Sequence, residues 1–158
     1  MRITLIAAVS PDLVIGVDGG MPWHYPADMR HFMRTTMGHP CIVGRRTYES
    51  FPRRPLPRRP NLVITRDASY RAGADAMVFT SPEAALDHCR SARAERVFVL
   101  GGEAIYRHML PAAHEMVLTH VPDEVRGDAH FPAWSEADWQ VVDNTEKGAL
   151  RFVTYQRR

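Results

Sequence analysis

The segment Ile3–Val9 constrains this chain more than any other, because a near-continuous apolar run with β-branched members is the pattern of a strand buried on both faces. Such a strand needs a covering layer on each side. The rest of the chain supplies the material for both layers. Short apolar runs at Cys41–Gly44, Asn61–Thr65, Met77–Thr80, Arg96–Leu100 and Glu115–Val121 alternate with helical patterns, which is a βαβ succession. Pro26 suits the first turn of a helix, and Met29, Phe32, Met33 and Met37 follow at helical spacing up to Gly38. Arg45 to Phe51 is a helical turn, and Pro52–Pro60, with four prolines, is an extended arm. Ser81 caps a helix with Pro82 at its first position and turns Ala85, Leu86 and Cys89 inward. Glu103–Leu110 forms another helix, stopped by Pro111. Trp139–Asn144 and Leu150–Arg157, joined through Gly148, close the chain as an antiparallel hairpin. The expected fold is one α/β domain over residues 1–158, a mostly parallel central sheet with flanking helices and a C-terminal antiparallel hairpin.

Between Ser10 and Tyr25 three glycines and two prolines leave no room for a regular element. A loop of that length in a compact domain is a lid or a binding loop. Composition narrows the partners. At 158 residues the chain buries a core large enough to need no staple. Cys41 and Cys89 form neither a CxxC nor a zinc pattern, which favours a reduced, cytoplasmic setting without disulfide or metal. The longest apolar run, Leu5–Val9, is far too short to span a bilayer. Net charge is only +2, yet residues 45–59 hold six arginines and one glutamate, which suggests an anionic ligand rather than nucleic acid.

Three positions carry chemistry. Asp28 shares a helix face with Met29 and Phe32, so its carboxylate faces the apolar side, expected among Leu5 and Ala7 as well. A carboxylate there needs an N–H or hydroxyl partner, although an acidic residue in a first helical turn is also favoured by the helix dipole alone. Gly101-Gly102 joins a strand to a helix and exposes backbone N–H groups to a phosphate, without the full GxGxxG pattern. Gly44-Arg45-Arg46-Thr47 repeats that geometry with a hydroxyl and two guanidiniums, and two such junctions suit a diphosphate. No HExxH, HxH or GxSxG is present.

Taken together, Ile6-Ala7-Ala8, Val14-Ile15-Gly16, Met21-Pro22-Trp23, Pro26-Ala27-Asp28, Gly44 to Ser50, Pro55 to Arg59, Gly101-Gly102 with Ile105-Tyr106, Leu118-Thr119 and Gly127-Asp128 before Phe131-Pro132 resemble dihydrofolate reductase over the whole chain, in the family's order. The resemblance implies reduction of 7,8-dihydrofolate to tetrahydrofolate by NADPH. It implies that Asp28 grips the pterin and raises the proton affinity of its imine nitrogen, which a water then protonates. Thr119 would bond that carboxylate and Trp23 would help hold the water. Ile6, Met29, Phe32, Leu56 and Leu100 would enclose the substrate rings, and Arg59 would form a bidentate pair with the substrate's α-carboxylate.

For the cofactor, the resemblance assigns Arg45, Thr47 and the turn Gly101-Gly102-Glu103-Ala104 to the diphosphate, with Gly16, Gly44 and Ile105 also among the cofactor-binding residues. Arg46, Thr65 and Arg66 would lie near the 2′-phosphate, and Ala8, Ile15 and Tyr106 would hold the nicotinamide. The loop from Ser10 to Tyr25 would be the lid, fastened by Asp128, and the chain is expected to be a monomer. Two other functions compete. A riboflavin-pathway reductase of the same architecture is opposed by Asp28 and Arg59 together. An RNA-binding module on the arginine-rich arm would need exposed aromatics beside the arginines, where only Tyr48 and Phe51 stand.

Overall fold

The computed structural model describes residues 1–16 and 20–158; Val17, Asp18 and Gly19, part of the expected lid, lie outside the described residues. Fourteen elements follow in order: β1 (Arg2–Val9), β2 (Val14–Gly16), α1 (Pro26–Thr36), β3 (Cys41–Gly44), α2 (Arg45–Ser50), β4 (Asn61–Ile64), β5 (Ala76–Phe79), α3 (Pro82–Ser91), β6 (Arg96–Val99), α4 (Glu103–Met109), β7 (Glu115–His120), β8 (Ala129–His130), β9 (Trp139–Lys147) and β10 (Leu150–Arg157). Eight strands form one sheet in the order β5-β4-β3-β6-β1-β7-β10-β9. The first six run parallel, and β10 pairs antiparallel with both β7 and β9.

Strand alternation sorts the core into two layers. Ile3, Leu5 and Val9 of β1, Ile42 of β3, Val97 and Val99 of β6 and Leu118 of β7 point to the side covered by α3 and α4, through Ala85, Leu86, Cys89, Tyr106 and Met109. Ile6, Val43, Val63, Phe98 and Val117 point the other way, against Phe32 and Met33 of α1 and Tyr48 of α2. The near-continuous hydrophobicity of the strands is thus explained: both faces are covered. Leu5 and Ala7 face α3 and α4, so they do not surround Asp28; the neighbours that β1 offers to α1 are Ile6 and Ala8.

Four expectations need correction. The Ser10–Tyr25 segment does contain a regular element, since Val14–Gly16 pairs antiparallel with Ala129–His130, and Leu13, at φ 64, sits at the turn before it. The helix after Gly102 ends at Met109, and Pro111 lies inside a 3-10 turn, Leu110–Ala112, where its missing N–H breaks no bond. Strand β9 runs three residues beyond Asn144, because a two-residue turn with Gly148 at φ +60 lets Lys147 pair with Leu150. The 52–60 arm is folded back rather than extended. Asn61 clamps it, with Nδ2 donating to Leu56 O (2.9 Å) and Arg59 O (2.7 Å) and Oδ1 accepting from Leu56 N (2.9 Å).

The Ser81 cap is in place, with Oγ accepting from Ala84 N at 3.1 Å. Ser81→Ala should therefore cost about 1 kcal/mol, read as a lower urea midpoint with an unchanged slope. Turnover should be unchanged, because α3 takes no part in the site described next.

Candidate active site

Asp28 sits in the first turn of α1, which starts at Pro26. Its Oδ1 accepts a hydrogen bond from Thr119 Oγ1 at 2.7 Å, across from the carboxyl end of β7. Burial pushes the carboxyl above its ordinary range, opposed by the Thr119 bond and by the nearby His31. The pairing expected for a half-buried carboxylate is supplied by a strand hydroxyl, and Oδ2 remains for an N–H donor. Trp23 is buried at 8% exposure, and its Nε1 has no acceptor among the described residues. A buried indole N–H demands a partner, so this donor faces a site for water or ligand.

Ile6, Leu56 and Leu100 are buried together in one cluster with Phe32 against it. Met29 stands apart at 45% exposure, and Met37 at 38%. The apolar face of α1 is therefore only partly covered by the sheet, and Met29, next to Asp28, stays outside the packed layer.

Arg59 is 6% exposed. Its Nε donates to Pro57 O (2.7 Å), and Nη1 donates to Thr36 Oγ1 (2.7 Å) and Met33 O (3.1 Å). Nη2 meets only the Met37 sulfur, at 3.4 Å. With Nε and Nη1 committed, the guanidinium offers one nitrogen to a ligand rather than the two-nitrogen fork that a bidentate pair requires. Burial lowers its proton affinity, from a level at which Arg is always charged.

The two glycine-bearing junctions abut. Gly44 N donates to Gly101 O at 2.7 Å. A Cβ on Gly44 would come within 3.3 Å of Ile105 Cγ1 and 3.4 Å of Gly101 O, and one on Gly102 within 3.1 Å of Thr47 Oγ1. The Gly101-Gly102 peptide is cis. Tyr106 is buried beneath this turn and its hydroxyl donates to Ile6 O at 2.5 Å. The Glu103 carboxylate faces away, accepting from His130 N at 2.7 Å and from Arg107, so only its backbone is free for a phosphate. Ala8 packs in the cluster of Trp23, whereas Ile15 packs against the α3–α4 layer. Gly16 O accepts from Asp128 N at 3.2 Å, which ties the loop down at the position expected of Asp128.

The arginines distribute differently from expectation. Arg45, rather than Arg46, reaches the end of β4, where Nη1 lies 3.8 Å from Asp67 Oδ2, next to Thr65 and Arg66. Its Nε bonds Glu49 Oε1 at 3.3 Å and its guanidinium lies 4.1 Å over the Tyr70 ring. Arg46 is exposed on α2. Sequence reasoning missed Asp67, Tyr70, Asn61 and His31; only His31 carried a signal, standing three residues after Asp28 and thus on its helix face. Cys41 is fully buried and its thiol is pushed up to about 12 by burial, which keeps it a protonated core group.

In open α/β sheets ligands bind beyond the carboxyl ends of the strands. The carboxylate and the arginine-bearing turns gather at that edge, so the layout is that of an α/β enzyme with a carboxylate subsite beside a phosphate subsite.

Comparison with known proteins narrows the class. A family profile described as dihydrofolate reductase matches residues 2–157. The dihydrofolate reductase of Neisseria meningitidis serogroup A is 45% identical over 163 residues, 99% of this chain and 99% of the relative. Dihydrofolate reductase HdrB of Haloferax volcanii is 41% identical, over 100% of this chain and 84% of the relative. A solved structure of dihydrofolate reductase from Enterococcus faecalis, complexed with NADP(H) and RAB-propyl, superposes with a TM-score of 0.91 at 27% identity, covering 99% of this chain and 96% of that one. The chain belongs to the dihydrofolate reductase family.

Proposed function

We propose that this chain reduces 7,8-dihydrofolate to 5,6,7,8-tetrahydrofolate, with Asp28 as the group that binds the pterin and promotes its protonation. Family membership makes it an NADP-dependent oxidoreductase of folate metabolism. The observation that carries the finer reading is the Asp28 carboxylate, fixed by Thr119 at 2.7 Å and raised in proton affinity by burial. NADPH, when bound, supplies the hydride. The residues present fit it: Gly44 and Gly102 keep the two junctions free of side chains, Thr47 adds a hydroxyl, and Arg45, Arg46 and Arg66 supply positive charge.

The chain's own part is to orient and to manage one proton. Asp28 Oδ2 accepts N–H groups from the pterin, while Thr119 holds Oδ1 and so fixes the plane of the carboxylate. The Trp23 N–H, which has no acceptor among the described residues, would hold the water that passes a proton to the imine nitrogen. Ile6, Phe32, Leu56 and Leu100 exclude bulk water from the ring, and Met29 closes over its outer edge. Arg59 meets the substrate carboxylate through Nη2. The loop bearing β2, tied to β8, serves as the lid. NADPH oxidation followed at its absorbance band with and without dihydrofolate tests the reading, which fails if dihydrofolate does not accelerate it.

Cofactor preference gives a second test. Arg45 and Arg66 flank the end of β4, where a 2′-phosphate would meet them, and NADH would leave them unpaired. Charge-assisted contacts contribute about 1.5–3 kcal/mol each, so NADPH should be favoured by roughly tenfold or more in kcat/KM. The paired substitution Arg45→Ala with Arg66→Ala should remove most of that preference. Arg46→Ala with Arg66→Ala should remove less. Equal preference in the parent and the first pair would mean that other residues recognise the phosphate.

A further inference from the structure

His31 is a partly buried titratable group next to the site, and the mechanism above does not use it. It stands three residues after Asp28 on α1, a spacing that makes the two side chains neighbours on one helix face. The sheet receives them as a matched pair. Thr119 of β7 and Phe152 of β10 are directly opposed in register; Thr119 bonds Asp28 at 2.7 Å, and the Phe152 ring lies 4.3 Å from the His31 ring at a 40° tilt. The imidazole is thereby anchored beside the carboxylate. Its Nε2 is buried without a partner among the described residues, as is Trp23 Nε1, and Phe152 and Trp23 belong to the same packed cluster. Two unmatched polar nitrogens thus belong to the packing around one carboxylate, and each demands a water or a ligand atom.

We propose that His31 is a positioning residue for this reaction: its imidazole and the Asp28 carboxylate form one proton-binding unit, and the charge on the ring controls how readily the carboxylate binds a proton. The inference rests on the role of Asp28 given above. Burial holds the imidazole below its ordinary range and Asp28 above its own, so the two titrate closer together than free groups would, while the pair's mutual attraction favours imidazolium beside carboxylate. Whenever the ring is charged, that charge resists protonation of Asp28.

Few other groups compete for this role. On α1 the other charges are Arg30 and Arg34, and Arg34 disfavours the imidazolium. Thr119 of β7, Val121 just beyond it, and Leu150 and Phe152 of β10 face the helix, and none of them titrates in this range. Asp143 and Lys147 of β9, opposite Thr154 and Leu150, lie on the same sheet face and are exposed. Tyr25 is bonded to Asp123, and His120 to Tyr155 at 2.8 Å on the opposite face of the sheet.

The test uses the full chain without ligand. NMR titration of the His31 ring should give two inflections in the parent and one in Asp28→Asn. The carboxyl carbon of Asp28 should titrate at higher pH in His31→Gln than in the parent. Single-turnover hydride transfer from NADPH to dihydrofolate should then follow one pH profile for both proteins above the imidazole's titration. Below it the profiles should diverge, with His31→Gln faster by up to about twofold at the parent's midpoint, because the parent's imidazolium offsets the carboxylate charge that raises the imine's proton affinity. A ring that only packs against Phe152 would lower rate or stability evenly, with the midpoint unmoved. A single inflection for His31 in the parent, or an Asp28 carboxyl midpoint unchanged in His31→Gln, overturns the inference. If His31→Gln does not fold, the parent titration and its Asp28→Asn control decide alone. Because the NMR arm needs no dihydrofolate, its failure is separate from failure of the proposed activity.

Discussion

Asp28→Asn is expected to cut dihydrofolate turnover at neutral pH by about a hundredfold or more, while making the folded chain harder to unfold. The two effects have one origin. The amide keeps the size of the carboxyl and can accept from Thr119, but it cannot hold negative charge against a pterin or raise that ring's proton affinity. Loss of rate should shrink as pH falls, because the solvent then protonates the substrate unaided. Stability moves the other way. Burial raises the folded-state carboxyl above its unfolded value, so the ionised group weakens folding once pH passes through that raised value and has no such effect below the ordinary carboxylate range. Asp28→Asn should therefore show a higher melting temperature than the parent at pH 7, with the gain fading in acid. Parent-like turnover at neutral pH would remove Asp28 from the mechanism, and an unchanged melting temperature would contradict the electrostatic reading of its burial.

The largest structural effect is expected at Gly101. Its φ is +105°, and a Cβ there would lie 2.8 Å from Tyr106 Cε2 and 3.1 Å from Cζ. That ring has nowhere to go: it is 4% exposed, bonded through its hydroxyl to Ile6 O at 2.5 Å, and packed 4.9 Å from Phe131. Unfavourable backbone and overpacking add, so Gly101→Ala should lose about 3 kcal/mol or more, with a fall of roughly 10 °C in melting temperature or failure to accumulate as soluble protein. Gly102→Ala is the contrast. Its φ is −83° and its new Cβ would meet only Thr47 Oγ1 at 3.1 Å. Folding should change by less than about 1 kcal/mol, whereas NADPH affinity, measured by fluorescence titration, should drop because the methyl group enters the space between the two junctions. The reverse ranking in urea denaturation would show that the packing argument is misplaced.

The sheet was legible because buried parallel strands are written in short, strongly apolar runs, and Val43, Phe98 and Leu118 could hardly belong elsewhere. The position of Asp28 was equally readable from helical spacing. What escaped was set by partners distant in sequence. Val14–Gly16 is a strand only because Ala129–His130 lies beside it, more than a hundred residues later. Arg59 loses its two-nitrogen fork to Met33 and Thr36, which no local pattern announces. Thr119 could be matched to Asp28 only through the family's likeness, since the bond links residues 91 positions apart.

Arg45 already has company before any nucleotide arrives: Glu49 at 3.3 Å, Asp67 at 3.8 Å and the face of Tyr70. A phosphate taking the Nε and Nη1 edge of this guanidinium displaces carboxylates rather than neutralising a bare cation, so binding on that edge is an exchange of anions. The released carboxylates regain their own counterions from solution, which offsets those shed by the ligand. Nucleotide affinity should accordingly fall less steeply with ionic strength than the arginine-rich arm suggests on paper. The surrounding acids also keep Arg45 extended over Tyr70, so that the side chain meets its ligand already aimed.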